Sequence, residues 1–213
     1  MNFLSKFGGS NDKLADNVDD EGSLDPSDKE AEQGLSEIND AIVYLLIDTS
    51  GSMNGVNLDA AKEGARKFAL SVTEKGHYVG LISFDSYAEY ISDPVNDIPT
   101  INRKISLLNT GGSTNMSDAF NMAYTCFEDI KPDLATVVVA TDGMPDSKED
   151  TIRAADKLKD VGVTIITIGT DGADENFLKK IASASDLVSV VDGENFEEAI
   201  SKASDNIMLT DGS

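Results

Sequence analysis

From residue 41 onward the chain alternates short apolar runs with stretches whose apolar residues recur every three or four positions. The runs AIVYLLI (41–47), YVGLISF (78–84), ATVVVAT (135–141), VTIITIG (163–169) and LVSVV (187–191) are β-branched and nearly continuous. Parallel strands covered on both faces read this way. Between them, Ala61, Ala65, Phe68, Ala69 and Val72 give residues 57–75 one apolar helical face, and Met116, Ala119, Phe120, Ala123 and Phe127 do the same for 115–130. Further helices fit 148–160, 174–184 and 195–207. The segment YAEYIS (87–92) follows its predecessor too closely for a crossover helix, so it is expected to be an antiparallel edge strand. Strand alternating with helix implies an α/β fold: a doubly wound, mostly parallel six-stranded sheet with one antiparallel edge strand and helices on both faces.

The first 40 residues break this pattern. They hold eleven acidic side chains against Lys6, Lys13 and Lys29, a net charge of −8, and little apolar periodicity. Such a segment buries too little apolar area to offset its ordering entropy. The expected organisation is therefore a largely disordered acidic arm over 1–38, one globular domain over 39–208 and a short tail over 209–213. The arm reads either as a solvated tether or as a surface for a basic partner.

Charge and composition narrow the chemistry. A formal charge of −22 over 213 residues repels phosphate backbones and anionic headgroups, which argues against nucleic-acid binding. With one cysteine, Cys126, no internal disulfide is possible, as suits a reducing compartment. His77 is the only histidine, so a histidine-rich zinc site is excluded. No apolar run approaches the ~20 residues of a membrane span, and the opening MNFLSKFGGS lacks a secretory apolar core. A cytoplasmic protein, with a monomer favoured, is the expectation.

Oxygen donors then become the natural ligands, and they collect just after strands. The first strand runs into Asp48-Thr49-Ser50-Gly51-Ser52, a later one into Thr141-Asp142-Gly143, and the loop NTGGSTNMSD (109–118) leads into a helix. Taken singly, each has a structural explanation: Asp48 and Ser50 as helix caps, Thr-Asp-Gly as a turn, Thr114 as another cap. Taken together they fall where doubly wound sheets bind ligands, outside the carboxyl ends of the strands. Two carboxylates, Asp48 and Asp142, repel one another unless a cation lies between them. With the hydroxyls of Ser50, Ser52 and Thr114, they would suit a hard divalent ion whose coordination shell stays incomplete. Ser113 competes with Thr114 as the loop ligand.

This ordered set, Asp-x-Ser-x-Ser after a buried strand, Thr in a Gly-Gly loop and Thr-Asp-Gly after a later strand, resembles the metal-ion-dependent adhesion site of von Willebrand factor type A domains, over roughly residues 40–207. The resemblance implies a Rossmann-like fold and a divalent cation, Mg²⁺ foremost with Mn²⁺ or Ca²⁺ as alternatives. It further implies that Ser50, Ser52 and Thr114 touch the metal, that Asp48 and Asp142 act largely through water, and that an acidic residue of a partner protein completes the shell. It points to an intracellular prokaryotic member. The expected function is a metal-dependent protein–protein contact rather than catalysis. A phosphatase-like hydrolase is the alternative, disfavoured because the three loops carry no lysine or arginine to neutralise a transferred phosphoryl group. A scaffold whose metal only fixes the loops is the third reading.

Overall fold

The computed structural model describes residues 41–207. The acidic arm and the tail expected at 209–213 lie outside the described residues. Six strands form one sheet in the order β3-β2-β1-β4-β5-β6: β1 (Ala41–Asp48), β2 (Tyr78–Phe84), β3 (Ala88–Val95), β4 (Leu134–Thr141), β5 (Thr164–Thr170) and β6 (Val188–Val191). All neighbours are parallel except β2 and β3, which are antiparallel. The expected edge strand is therefore present, three residues longer at its end and carrying Pro94, which only an edge position tolerates. Every residue of β1 is buried, as befits a central strand paired on both sides and covered on both faces.

The helices are α1 (Val56–Glu74), α2 (Ile98–Ser106), α3 (Met116–Ile130), α4 (Lys148–Asp160), α5 (Glu175–Ile181) and α6 (Phe196–Ile207). Val43, Leu45 and Ile47 of β1 pack with Phe68 of α1, Ile101 and Ile105 of α2, and Phe196 and Ile200 of α6. On the opposite face the Tyr44 ring meets Phe127 of α3 edge-on at 5.2 Å. Gly80 makes room for that tyrosine, since a Cβ there would sit 2.4 Å from the Tyr44 ring. The Tyr44 hydroxyl lies 3.4 Å from the hydroxyl of Tyr90, which donates to Asp93 Oδ1 at 2.6 Å, so a phenol in the middle of the sheet still finds a polar partner. Cys126 packs in the core as a small hydrophobe, its thiol pushed up to about 11 by burial.

Two elements depart from the sequence expectation. Helix α2 was not anticipated, though its signals are present: Asp97 caps the Thr100 amide at 2.9 Å, Pro99 sits in the first turn, and Ile101 and Ile105 are buried four apart. It is short, and its two strong apolar positions do not stand out against a polar stretch. Helix α5 stops three residues early because Ser183 is drawn into the sheet, its amide donating to Ile165 O at 3.0 Å and its Oγ accepting from Ile165 N at 2.8 Å. No helix among the described residues is long and apolar enough to cross a membrane.

Candidate metal centre

From β1 the chain proceeds to β2 on one side of the sheet, while β4 lies on the other. The crevice outside the carboxyl ends of β1 and β4 is thus the switch point of the topology. Asp48 ends β1 and is fully buried. Its Oδ1 accepts the Ser50 amide at 2.8 Å and its Oδ2 accepts the Thr141 hydroxyl at 2.5 Å, a bond from the last residue of β4. Ser52 Oγ donates to Asp142 Oδ1 at 2.7 Å and lies 3.1 Å from Ser50 Oγ. With its one proton committed to Asp142, Ser52 accepts from Ser50. Asp142 Oδ2 accepts Asn57 Nδ2 at 2.8 Å. Asp48, Ser50, Ser52 and Asp142 therefore form one hydrogen-bonded set.

Thr114 joins that set through its loop rather than through its hydroxyl. Gly51 N donates to Gly112 O at 3.2 Å and Gly111 N to Thr49 O at 2.8 Å, which laces the Gly-Gly loop to the loop after β1. Gly112 has φ +64°, and a Cβ there would lie 2.4 Å from Ser86 Oγ, so no other residue fits that turn without strain. Asp146 clamps the next two residues: its Oδ2 accepts the Ser113 hydroxyl at 2.7 Å and its Oδ1 the Thr114 amide at 3.1 Å. Ser113 is exposed with its hydroxyl engaged. Thr114 is buried, and its hydroxyl has no hydrogen-bond partner among the described residues. Asn115 then caps α3 by accepting the Asp118 amide.

Three contributors escaped the sequence reading. Thr141 was visible only as part of a turn, Asn57 as a polar residue in the first turn of a helix, and Asp146 as one acid among many. Nothing in their spacing sets them apart; only the folded chain brings them within reach.

The electrostatics of the set are unbalanced. Burial pushes the Asp48 carboxyl up to about 6, the hydrogen bonds from Ser50 and Thr141 oppose the rise, and the nearby Asp142 charge adds to it. Among the described residues neither aspartate forms a salt bridge. No cluster of three or more His, Cys, Asp or Glu able to hold a metal occurs among them, so a cation here would depend on hydroxyl oxygens. Two buried carboxylates strung together by serine hydroxyls, with no protein cation beside them, form a donor set that a hard divalent ion would fit.

A family model for the von Willebrand factor type A domain matches residues 43–205. Among curated proteins, the chain is 28% identical over 156 residues to mouse calcium-activated chloride channel regulator 1 and 30% identical over 142 residues to its pig counterpart. These matches cover 70% and 63% of this chain but only 16% and 15% of the relatives. Among solved structures it superimposes on the vWF domain of a type V pilus tip protein from Porphyromonas gingivalis with TM-score 0.73 and 15% identity, covering 82% of this chain and 97% of that one. Manganese-loaded TRAP protein from Plasmodium vivax gives TM-score 0.64 at 22% identity, covering 76% and 71%. At these identities the structural likeness speaks for the fold.

Proposed function

The chain belongs to the von Willebrand factor type A family, and from that premise we propose that its carboxyl-end loops hold a divalent cation through Asp48, Ser50, Ser52, Thr114 and Asp142, and that a carboxylate of a partner protein completes the shell. Domains of this family generally serve metal-dependent protein–protein interaction and commonly bind divalent cations. Here the ion is Mg²⁺ first, with Mn²⁺ or Ca²⁺ as alternatives, and the role is binding and not turnover. Its main support is the buried Asp48 carboxylate, linked to its surroundings by hydrogen bonds from neutral groups alone. The manganese-loaded structural neighbour agrees with a hard divalent ion in this fold.

The ligand chemistry follows from the hydrogen bonds. Ser50, Ser52 and Thr114 would offer hydroxyl oxygens to a cation while the Ser52 proton stays on Asp142 Oδ1, and the ion would supply the positive charge that the two aspartates lack. Thr114, a largely buried residue, brings a hydroxyl that no side chain or backbone group among the described residues engages. If the direct ligands are the neutral hydroxyls and Asp48 and Asp142 act largely through water, the ion keeps more of its charge and binds an outside carboxylate more strongly than an ion directly neutralised by carboxylates would. The test is calorimetric melting with Mg²⁺, Mn²⁺ and Ca²⁺, beside capture of partner proteins in Mg²⁺ or EDTA. Wild type should melt higher with cation and capture only with it, and Asp48→Ala should do neither. Equal melting with and without every cation, or capture indifferent to EDTA and to Asp48→Ala, would sink the reading.

A further inference from the structure

Beside the metal centre opens a groove of about 300 Å³ whose lining includes Thr49, Asp85, Tyr87, Glu89, Lys104 and Leu107. Thr49 stands between Asp48 and Ser50, and its carbonyl anchors Gly111, so the groove and the centre share a wall. The rest of the lining is of two kinds. Tyr87 and Leu107 are 65% and 67% exposed, two of the few large apolar side chains left open to solvent. Asp85 and Glu89 are carboxylates without an ion-pair partner among the described residues, Asp85 accepting only the Tyr87 amide at 3.3 Å. Lys104, likewise without an ion-pair partner among the described residues, is the single cation in the lining.

An apolar strip ending at unpaired carboxylates matches a long amphipathic side chain. The aliphatic stem of a lysine or arginine would cover Leu107 and the Tyr87 ring while its head stays hydrated near Asp85 and Glu89. A guanidinium over the tyrosine face adds a cation–π attraction, and a charge-assisted bond to carboxylate adds direction. A purely aliphatic guest would desolvate the carboxylates with nothing in return. The wider surface agrees: the loops at this end (49–55, 85–87, 107–115, 142–147, 171–174 and 192–195) contain seven acidic residues, of which Asp174 is paired with Lys148 of α4, and no lysine, arginine or histidine of their own. A partner that lowers a carboxylate into so negative a field needs positive charge alongside it.

We propose that this groove is the specificity pocket of the same contact, receiving a lysine or arginine side chain of the partner segment whose carboxylate reaches the cation. This rests on the metal-bridged reading for the carboxylate half alone. The probes are short synthetic peptides with one aspartate in a glycine-serine background and with arginine, alanine or glutamate placed at successive offsets on either side. They are titrated into the 213-residue chain in millimolar Mg²⁺ and followed by the NMR shifts of Tyr87, Leu107, Asn109 and Gly111. At the best offset the arginine peptide should bind about fivefold or more tighter than its alanine twin, a gain of roughly 1 kcal/mol, and the glutamate peptide more weakly than either. Glu89→Gln, a surface change, should shrink that preference, and Lys104→Glu should enlarge it. No arginine preference at any offset, a preference indifferent to both substitutions, or no binding by any arginine peptide overturns the proposal. The two readings fail separately. An arginine preference that survives EDTA, with the aspartate then making no difference, removes the metal bridge and leaves the groove. Metal-dependent aspartate binding without arginine preference removes the groove and leaves the bridge.

Discussion

The two ends of the sheet are built on different terms. At the amino end, the turns 75–77, 131–133 and 161–163 follow local rules: Gly76 and Gly162 take positive φ to close helices, and Lys157, Lys159, Lys179 and Lys180 sit in last turns where the helix dipole favours them. Every feature there serves the fold. At the carboxyl end, Asp48 and Asp142 are buried together, Gly112 is held in a turn open to no other residue, and the acids of the surrounding loops outnumber the bases near them, Lys104 and Lys148. Those arrangements cost stability, and nothing in the packing requires them. An end that serves only the chain's own structure would be expected to lack them, so the contrast supports the proposal that the protein meets a partner at this end.

The strongest way to break this comparison is to remove the pivotal carboxylate. With cation at about a hundred times its Kd, wild type should gain ~2.7 kcal/mol, and scanning calorimetry should register the melting point rising by roughly 5–10 °C. Asp48→Ala should abolish that response, while Lys75→Glu at the amino end should leave it intact. If both variants kept the response, the ends would be equivalent.

Acidity gives the next test. In EDTA, an Asp48 carboxyl raised to about 6 from near 4 holds its proton more tightly folded than unfolded. Its burial therefore penalises the folded state fully above about pH 6, and the penalty fades as pH falls toward 4. Measured by urea unfolding, wild type minus Asp48→Asn should lose on the order of 1–3 kcal/mol of stability between pH 4.5 and pH 7.5, roughly the size such a shift implies. A difference that does not change with pH would show Asp48 to be well solvated.

Substitution of the loop turn comes third. Gly112→Ala meets both positive φ and the Ser86 side chain, so a loss of about 1–3 kcal/mol in urea unfolding is expected, with weakened cation response. The smallest effect belongs to the amino end. Lys131 closes α3 in the left-handed region at φ 53°, and Lys131→Gly should stabilise by up to about 1 kcal/mol without touching the cation response.

Much of this was legible along the chain, and for physical reasons. Parallel strands buried on both faces must be apolar throughout, so β1, β2, β4 and β5 announce themselves, and the helices between them show their inner faces by spacing. The edge strand β3 was readable from the shortness of its connection. Helix α2 was not, because two buried isoleucines in a polar nonamer make a faint period. At the candidate centre, Asp48, Ser50, Ser52, Thr114 and Asp142 stand out along the chain because each lies at the end of a regular element or just beside one, and the fold links four of them by hydrogen bonds. Asn57, Thr141 and Asp146 do not stand out, since each acts by holding another side chain, and that service depends on distances that only folding sets.

The position of β1 also bears on how the chain is made. Its residues are the first of the sheet to leave the ribosome, yet one edge waits for β4, whose Thr141 stands 93 residues beyond Asp48. At about 5–20 residues per second, this largely apolar strand lacks its β4 neighbour for roughly 5–20 s of translation. Nascent chains of this protein should therefore be most prone to chaperone capture between the emergence of β2 and that of β4.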